Sequence, residues 1–105
     1  MGRWRLTRMS AWDNDFMDEE VPAFIEFEPG GRGEFHFGYV QCGMDWDAEE
    51  RAGKPGGAFT FEGFDEMTPT TGRGWATLEA NGTLTGLLHF HQGDKSKFWA
   101  ERTEA

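Results

Sequence analysis

Aromatic and polar residues alternate in several short stretches of this sequence, and the alternation restricts the folds open to the chain. The clearest stretches are AFIEFE at 23–28, EFHF at 34–37 and AFTFE at 58–62. Successive side chains of a β-strand point to opposite faces, so a period of two places the rings on one face and the polar groups on the other. The pattern predicts strands whose aromatic faces form a common core.

Turn residues between these stretches indicate how the strands connect. Asn81-Gly82 lies between two alternating runs, and this pair is preferred in a two-residue type I′ turn. Glycine, proline and charged residues without alternation predict longer connections at 48–57 and 65–74. The fifteen glycines and the many short apolar runs point to strands and turns.

The whole chain, residues 1–105, is expected to form a single all-β domain. A short helical turn is expected within 10–20, capped by Ser10 or Asp13. Seven or eight short strands joined by hairpins form an antiparallel meander, and both a small barrel and a barrel-like sandwich protect its edges. The strands are predicted at 4–9, 23–28, 34–42, 44–47, 58–64, 75–80, 83–91 and 97–102.

Ten Phe and five Trp supply the apolar surface for a core that has few aliphatic residues. The single cysteine, Cys42, excludes an intrachain disulfide, and no apolar run approaches the ~20 residues of a membrane span. The N-terminal residues lack the apolar region of a signal peptide, so a cytoplasmic location is expected. The residues predicted to be buried are Ile25, Phe27, Phe35, Phe37, Phe59, Phe61, Leu78, Leu84, Leu88, Phe90 and Phe98.

The three histidines are the first candidates for chemistry. His89 and His91 share the strand face opposite the apolar one, and His36 lies opposite Phe35 and Phe37 in the same way. With Asp94 they could bind a ligand, or a metal as a weak site, although solvated histidines are the simpler interpretation. No ligand spacing typical of a metal motif surrounds them, so neither a tight metal site nor a cofactor is expected.

A second candidate group combines carboxylates, an arginine and an indole. Asp65 and Glu66 precede Arg73 and Trp75, and Arg73 is flanked by glycines. A structural ion pair between Arg73 and one of the carboxylates is the simpler interpretation, and a ligand-binding arginine on a barrel rim is the alternative. No arrangement typical of an active site is present, so no catalytic residue is assigned.

Acidic residues dominate one part of the chain. From Asp13 to Glu50 there are twelve acidic residues and one basic residue, Arg32, while the whole chain has a formal net charge of −9. Such a field repels nucleic acid and attracts a basic partner, although solubility alone would also explain it. The residues predicted to meet a basic partner are Asp13, Asp15, Asp18, Glu19 and Glu20.

Four segments resemble a group of small bacterial proteins with no assigned activity. They are Trp12-Asp13 within WDND, Phe37 to Val40 as FGYV, Asp65-Glu66 followed by GRGWA at 72–76, and FHQGDKSKF at 90–98. The resemblance covers most of the chain. It implies one bacterial β domain and assigns no catalytic residue.

These observations favour a small, non-enzymatic, cytoplasmic binding or interaction domain with an acidic face. One alternative is an acidic inhibitor that occupies the nucleic-acid site of a basic partner. Another is a barrel that binds a small ligand, or a metal-assisted enzyme, using the histidines. A polar pocket lined by two or more histidines would favour the small-ligand alternative. The absence of any cavity would favour the inhibitor.

Overall fold

The computed structural model describes residues 2–103, and its strands close into a barrel. Each strand pairs antiparallel with the next along the chain, and β1 pairs with β8 to complete the ring. The predicted all-β antiparallel meander is confirmed, and the structure is a barrel rather than a sandwich. The elements are β1 Gly2–Met9, α1 Asn14–Met17, β2 Phe24–Glu28, β3 Arg32–Phe37, β4 Val40–Arg51, β5 Lys54–Asp65, β6 Thr68–Leu78, β7 Leu84–Phe90 and β8 Lys95–Arg102.

Aromatic side chains fill the interior of the barrel. Phe61, near the centre, lies edge-on to Phe35 with ring centroids 4.9 Å apart and to Phe90 at 5.0 Å. The predicted core is confirmed except at Leu78 and Phe90, which are half-buried and pack against it. Edge-to-face packing of this kind adds to the stabilisation that rings gain by leaving water.

Glycines inside the strands make room for these rings. Phe61 is the register partner of Gly72, and a Cβ at Gly72 would overlap the Phe61 ring. Phe98 and Gly86 on β8 and β7 are related in the same way. A glycine in a strand interior here marks a close approach by an aromatic neighbour.

The central strands are longer than the sequence suggests. β4 and β5 have 12 residues each and pair along their whole length, joined by a tight turn at Ala52 and Gly53 with φ values of 50° and 80°. The connection predicted at 48–57 is therefore a hairpin tip, and most of the one predicted at 65–74 belongs to β6. These ends extend beyond the core, so both of their faces are largely polar and the alternation is lost.

Two other turns differ from the expected form. The predicted strand 34–42 is divided by a two-residue turn at Gly38 and Tyr39, with Gly38 at φ 55°. The pairing of β6 with β7 is confirmed, but the Asn81-Gly82 turn is not type I′, because a positive φ occurs at Gly82 alone. The Gly82 N–H donates to the Glu79 carbonyl, giving a three-residue loop that ends in a left-handed glycine.

The short helix α1 covers one end of the barrel. Of the two predicted caps, Ser10 and Asp13, the cap is Asp13: its carboxylate accepts a hydrogen bond from the Phe16 N–H at 2.8 Å. Trp12 packs against the ring of Phe37 in the core and against the half-buried ring of Phe90, and Phe16 lies against Gly38. In a meander, alternate connections lie at the same end. We call this end, which holds α1 and the β3–β4, β5–β6 and β7–β8 turns, the α1 end.

Candidate functional site

Register partners on six strands form a row of polar residues across the outside of the barrel. Each residue in the row alternates along its own strand with residues that face the core. The row therefore lies on the outer face, and strands distant in the sequence contribute neighbouring side chains. Its members, from β3 to β8, are Arg32, Asp45, Thr60, Arg73, His89 and Lys95.

A groove of about 1150 Å³ runs along this row, and we call it the outer groove. Small residues, Gly43, Thr60 and Thr71, lie between its larger side chains and keep it open. A depression of about 480 Å³ continues it toward Lys95 and shares Asp45, Thr60, Arg73 and His89 with it. Ligand sites in proteins commonly occupy about 300–1,000 Å³, so the groove exceeds that range and has room for a small molecule.

The outer groove is lined by carboxylates on β4 and β5, with Arg32 of β3 beyond them, and by basic side chains on β6 to β8. Asp45 and Glu62, on β4 and β5, provide carboxylates, while Arg73 and His89, on β6 and β7, provide the basic side with Lys95 of β8. Within residues 2–103 there are four ion pairs of Lys or Arg with carboxylates and one contact between His36 and Glu20, and none of them involves these five side chains. The groove therefore presents charges of both signs that do not neutralise one another by direct contact.

The pKa of His89 is lowered by its burial and by the positive charges of the basic side. Burial lowers the pKa of the His89 imidazole, because the charged form loses solvation. The charges of Lys95 and Arg73 lower this pKa further, and His91 adds to the effect. An anion bound at this position would oppose these effects and raise the pKa of His89. Protonation of His89 would in turn strengthen the binding of an anion.

The structure brings together part of the ligand site predicted from the sequence. Arg73, His89 and His91 line the outer groove, and Trp75 lines its continuation, where the Arg51 guanidinium lies 4.8 Å from the indole centroid. Asp45, Thr60, Glu62 and Lys95 were not predicted, because their proximity depends on pairing between distant strands.

His36 and Asp94 lie away from the outer groove. The His36 Nε2 is 3.0 Å from the Glu20 Oε1, beside the α1–β2 connection. Asp94 lies in the β7–β8 turn, where its carbonyl accepts a hydrogen bond from the Phe90 N–H. The three histidines therefore do not converge. In the described part of the chain, no three His, Cys, Asp or Glu side chains are arranged to hold a metal ion.

Asp65 and Glu66 are also separate from Arg73. They lie at the tip of the β5–β6 hairpin, where Asp65 pairs with Thr68, while Arg73 pairs with Thr60 further along the same two strands. No ion pair between Arg73 and either carboxylate is formed among residues 2–103, so the interpretation of these residues as a structural ion pair is wrong. The paired strands hold the groups at different levels of the barrel.

The acidic residues near α1 mostly have partners within the protein. Asp18 accepts two hydrogen bonds from the Arg5 guanidinium, at 2.7 and 2.8 Å, and a third from the Ala23 N–H. Glu19 accepts a hydrogen bond from the Tyr39 hydroxyl at 3.1 Å. With Glu20 beside His36, three of the five residues predicted to meet a partner attach this segment to the barrel, and Asp13 caps α1 within the segment.

Comparisons of the sequence with protein-family models, curated proteins and solved structures give no match. The resemblance to small bacterial proteins therefore stays an expectation. Among residues 2–103 no helix is both long and apolar enough to cross a membrane.

Proposed function

We propose that this chain is a small, cytoplasmic, non-enzymatic binding domain whose outer groove takes a compact ligand with separated anionic and cationic groups. The observation that carries the proposal is the set of opposite charges that line the groove without pairing. Charges left unpaired around a concave surface are available to a ligand, whereas charges already in ion pairs are not. The two histidines in the groove also favour the small-ligand alternative over the acidic inhibitor.

The placement of the groups sets the chemistry of the ligand. Arg73 and Lys95 flank His89 in the row, so a carboxylate or phosphate would meet cationic donors on both sides. Asp45 lies two strands from Arg73, which separates their Cα atoms by about 10 Å at the usual strand spacing. A ligand whose charges are several bonds apart would reach both sides of the groove.

A series of ω-amino carboxylates of increasing chain length tests this proposal. We expect the longer members to bind more tightly than simple carboxylates of the same length, because only they engage the acidic side of the groove. Nuclear magnetic resonance titrations measure both the affinities and the residues affected. Failure of every member of the series to perturb the groove, at neutral or lower pH, would contradict the proposal.

Lysines on β8 provide a matched pair of variants for the same titration. Lys95 borders the groove's continuation, while Lys97, on the same face two residues further, does not. We expect Lys95→Gln to weaken binding and Lys97→Gln to leave it unchanged. Affinity should also rise as the pH falls through the lowered pKa of His89, with a proton taken up on binding, and His89→Gln should abolish that uptake. Equal effects of the two lysine variants would show general attraction only.

A further inference from the structure

The tip of the β5–β6 hairpin presents apolar side chains to solvent. Met67 is 91% exposed and Phe64 is 54% exposed, and Val21 is the third exposed large hydrophobic residue within 2–103. Phe64 is outward-facing on β5, and Pro69 is its register partner on β6. Single exposed apolar residues are common, but two of them on one short tip form a surface that a partner could cover.

This tip is fixed to the rest of the α1 end. The Glu66 N–H donates to the Tyr39 carbonyl at 2.9 Å, and Glu66 holds a positive φ of 55°. Tyr39 in turn contacts α1, because its ring lies 6.0 Å from the Phe16 ring and its hydroxyl donates to Glu19. The apolar side chains are therefore displayed from a supported turn rather than from an unattached loop.

The surroundings of the tip are acidic. α1 and the β3–β4 and β5–β6 turns contain no Lys or Arg, and the basic residues of the α1 end, Arg8 and Lys95, lie at the end of β1 and beside the β7–β8 turn. Tyr39 reports the resulting field: the hydrogen bond to Glu19 and partial burial raise the pKa of its hydroxyl, and the charges of Glu66 and Glu20 raise it further. Asp65 and Glu66, beside the exposed apolar residues, have no ion-pair partner in the described part of the chain.

We propose that the α1 end, centred on Phe64 and Met67, is a docking surface for a Lys- or Arg-rich segment of a partner protein that contributes an apolar side chain. The exposed apolar residues supply the area to be buried, and Asp65 and Glu66 supply the complementary charge. Negative charge repels nucleic acids and anionic membranes, so a basic protein segment is the matching occupant. This surface differs from the outer groove, and the proposal does not depend on a ligand there.

A short amphipathic peptide of Lys and Leu is a suitable probe of this surface. In a titration followed by nuclear magnetic resonance, we expect the largest shifts at residues 64–69. The double variant Phe64→Ser, Met67→Ser should lose about tenfold in affinity, which corresponds to about 1.4 kcal/mol. Because both side chains are largely exposed, the variant should keep its thermal midpoint, and Thr68→Ser provides a control within the same tip. An unchanged affinity of the double variant would overturn the apolar part of the proposal.

Charge-matched variants distinguish specific binding at this surface from general electrostatic attraction to an acidic protein. Asp65→Asn with Glu66→Gln removes two charges at the tip, and Glu50→Gln with Glu101→Gln removes two elsewhere. We expect the first pair to slow association and weaken its salt dependence, and the second to have a smaller effect. Equal effects of the two pairs, equal binding of a Glu–Leu peptide, or tighter binding to anionic vesicles than to the Lys–Leu peptide would overturn the proposal.

Discussion

At the scale of single residues, the interior glycines are as important to the core as the rings beside them. A Cβ at Gly86 would overlap both the Phe98 ring and the Trp75 carbonyl oxygen. We expect Gly86→Ala to lower the free energy of unfolding by about 1–3 kcal/mol, because overpacking forces side chains and backbone apart. Denaturant unfolding measures this loss.

A glycine on the opposite face provides the control for this substitution. At Gly43 the nearest atom to an added Cβ is 4.0 Å away, so Gly43→Ala should leave the stability unchanged or slightly raised. Phe98→Leu should recover part of the stability lost in Gly86→Ala, as measured by a double-mutant cycle. The recovery should be incomplete, because the backbone carbonyl of Trp75 also overlaps the added Cβ and is fixed in the sheet. A neutral Gly86→Ala would show that the ring and the glycine do not constrain each other.

At the scale of elements, the ion pair between Arg5 and Asp18 joins the segment after α1 to β1. The hydrogen bonds from Arg5 lower the pKa of Asp18, and the Ala23 N–H contributes in the same direction. A carboxylate whose pKa falls on folding stabilises the folded state above its unfolded pKa of about 4, and this stabilisation is lost as the pH falls through the lowered value.

Asp18→Asn tests this connection. We expect it to destabilise the protein by about 0.5–1 kcal/mol at neutral pH, since the pair is partly exposed, and the difference from the parent protein should shrink below pH 4. Asp15→Asn, in the same segment but without a bonded partner among the described residues, should have no effect at either pH. A difference that persists at low pH would point to a cause other than the ionised carboxylate.

At the scale of the whole molecule, the net charge of −9 opposes the compact state. Glu26 and Glu34 are register partners on neighbouring strands, which places two like charges side by side. The Arg3 Nη1, on the strand at the other edge of β2, lies 3.3 Å from the Glu26 Oε1 and partly offsets this repulsion. Because salt screens such repulsion, the thermal midpoint should rise by a few degrees between low and physiological ionic strength. Calorimetry at fixed pH measures the change, and a fall would show that the ion pairs outweigh the repulsion.

The sequence predicts features that depend on neighbouring residues and misses those that depend on register. Alternation identified the buried faces of Ile25 and Phe35, and Asp13 was correctly placed at the start of a helical turn. The outer groove was missed because Asp45 and Arg73 approach one another only through the pairing of β4, β5 and β6. The role of the interior glycines was missed for the same reason.

The filled interior also suggests a use that the natural sequence does not exploit. An eight-stranded barrel is just wide enough to enclose a small molecule, and here that space is taken by rings such as Phe35, which contacts Phe37 and Phe61. A ring exchanged for alanine would leave a dry hollow with apolar walls, of the kind that accepts benzene or xenon. The barrel could then bind an engineered apolar ligand in its interior while its outer surface stays unchanged.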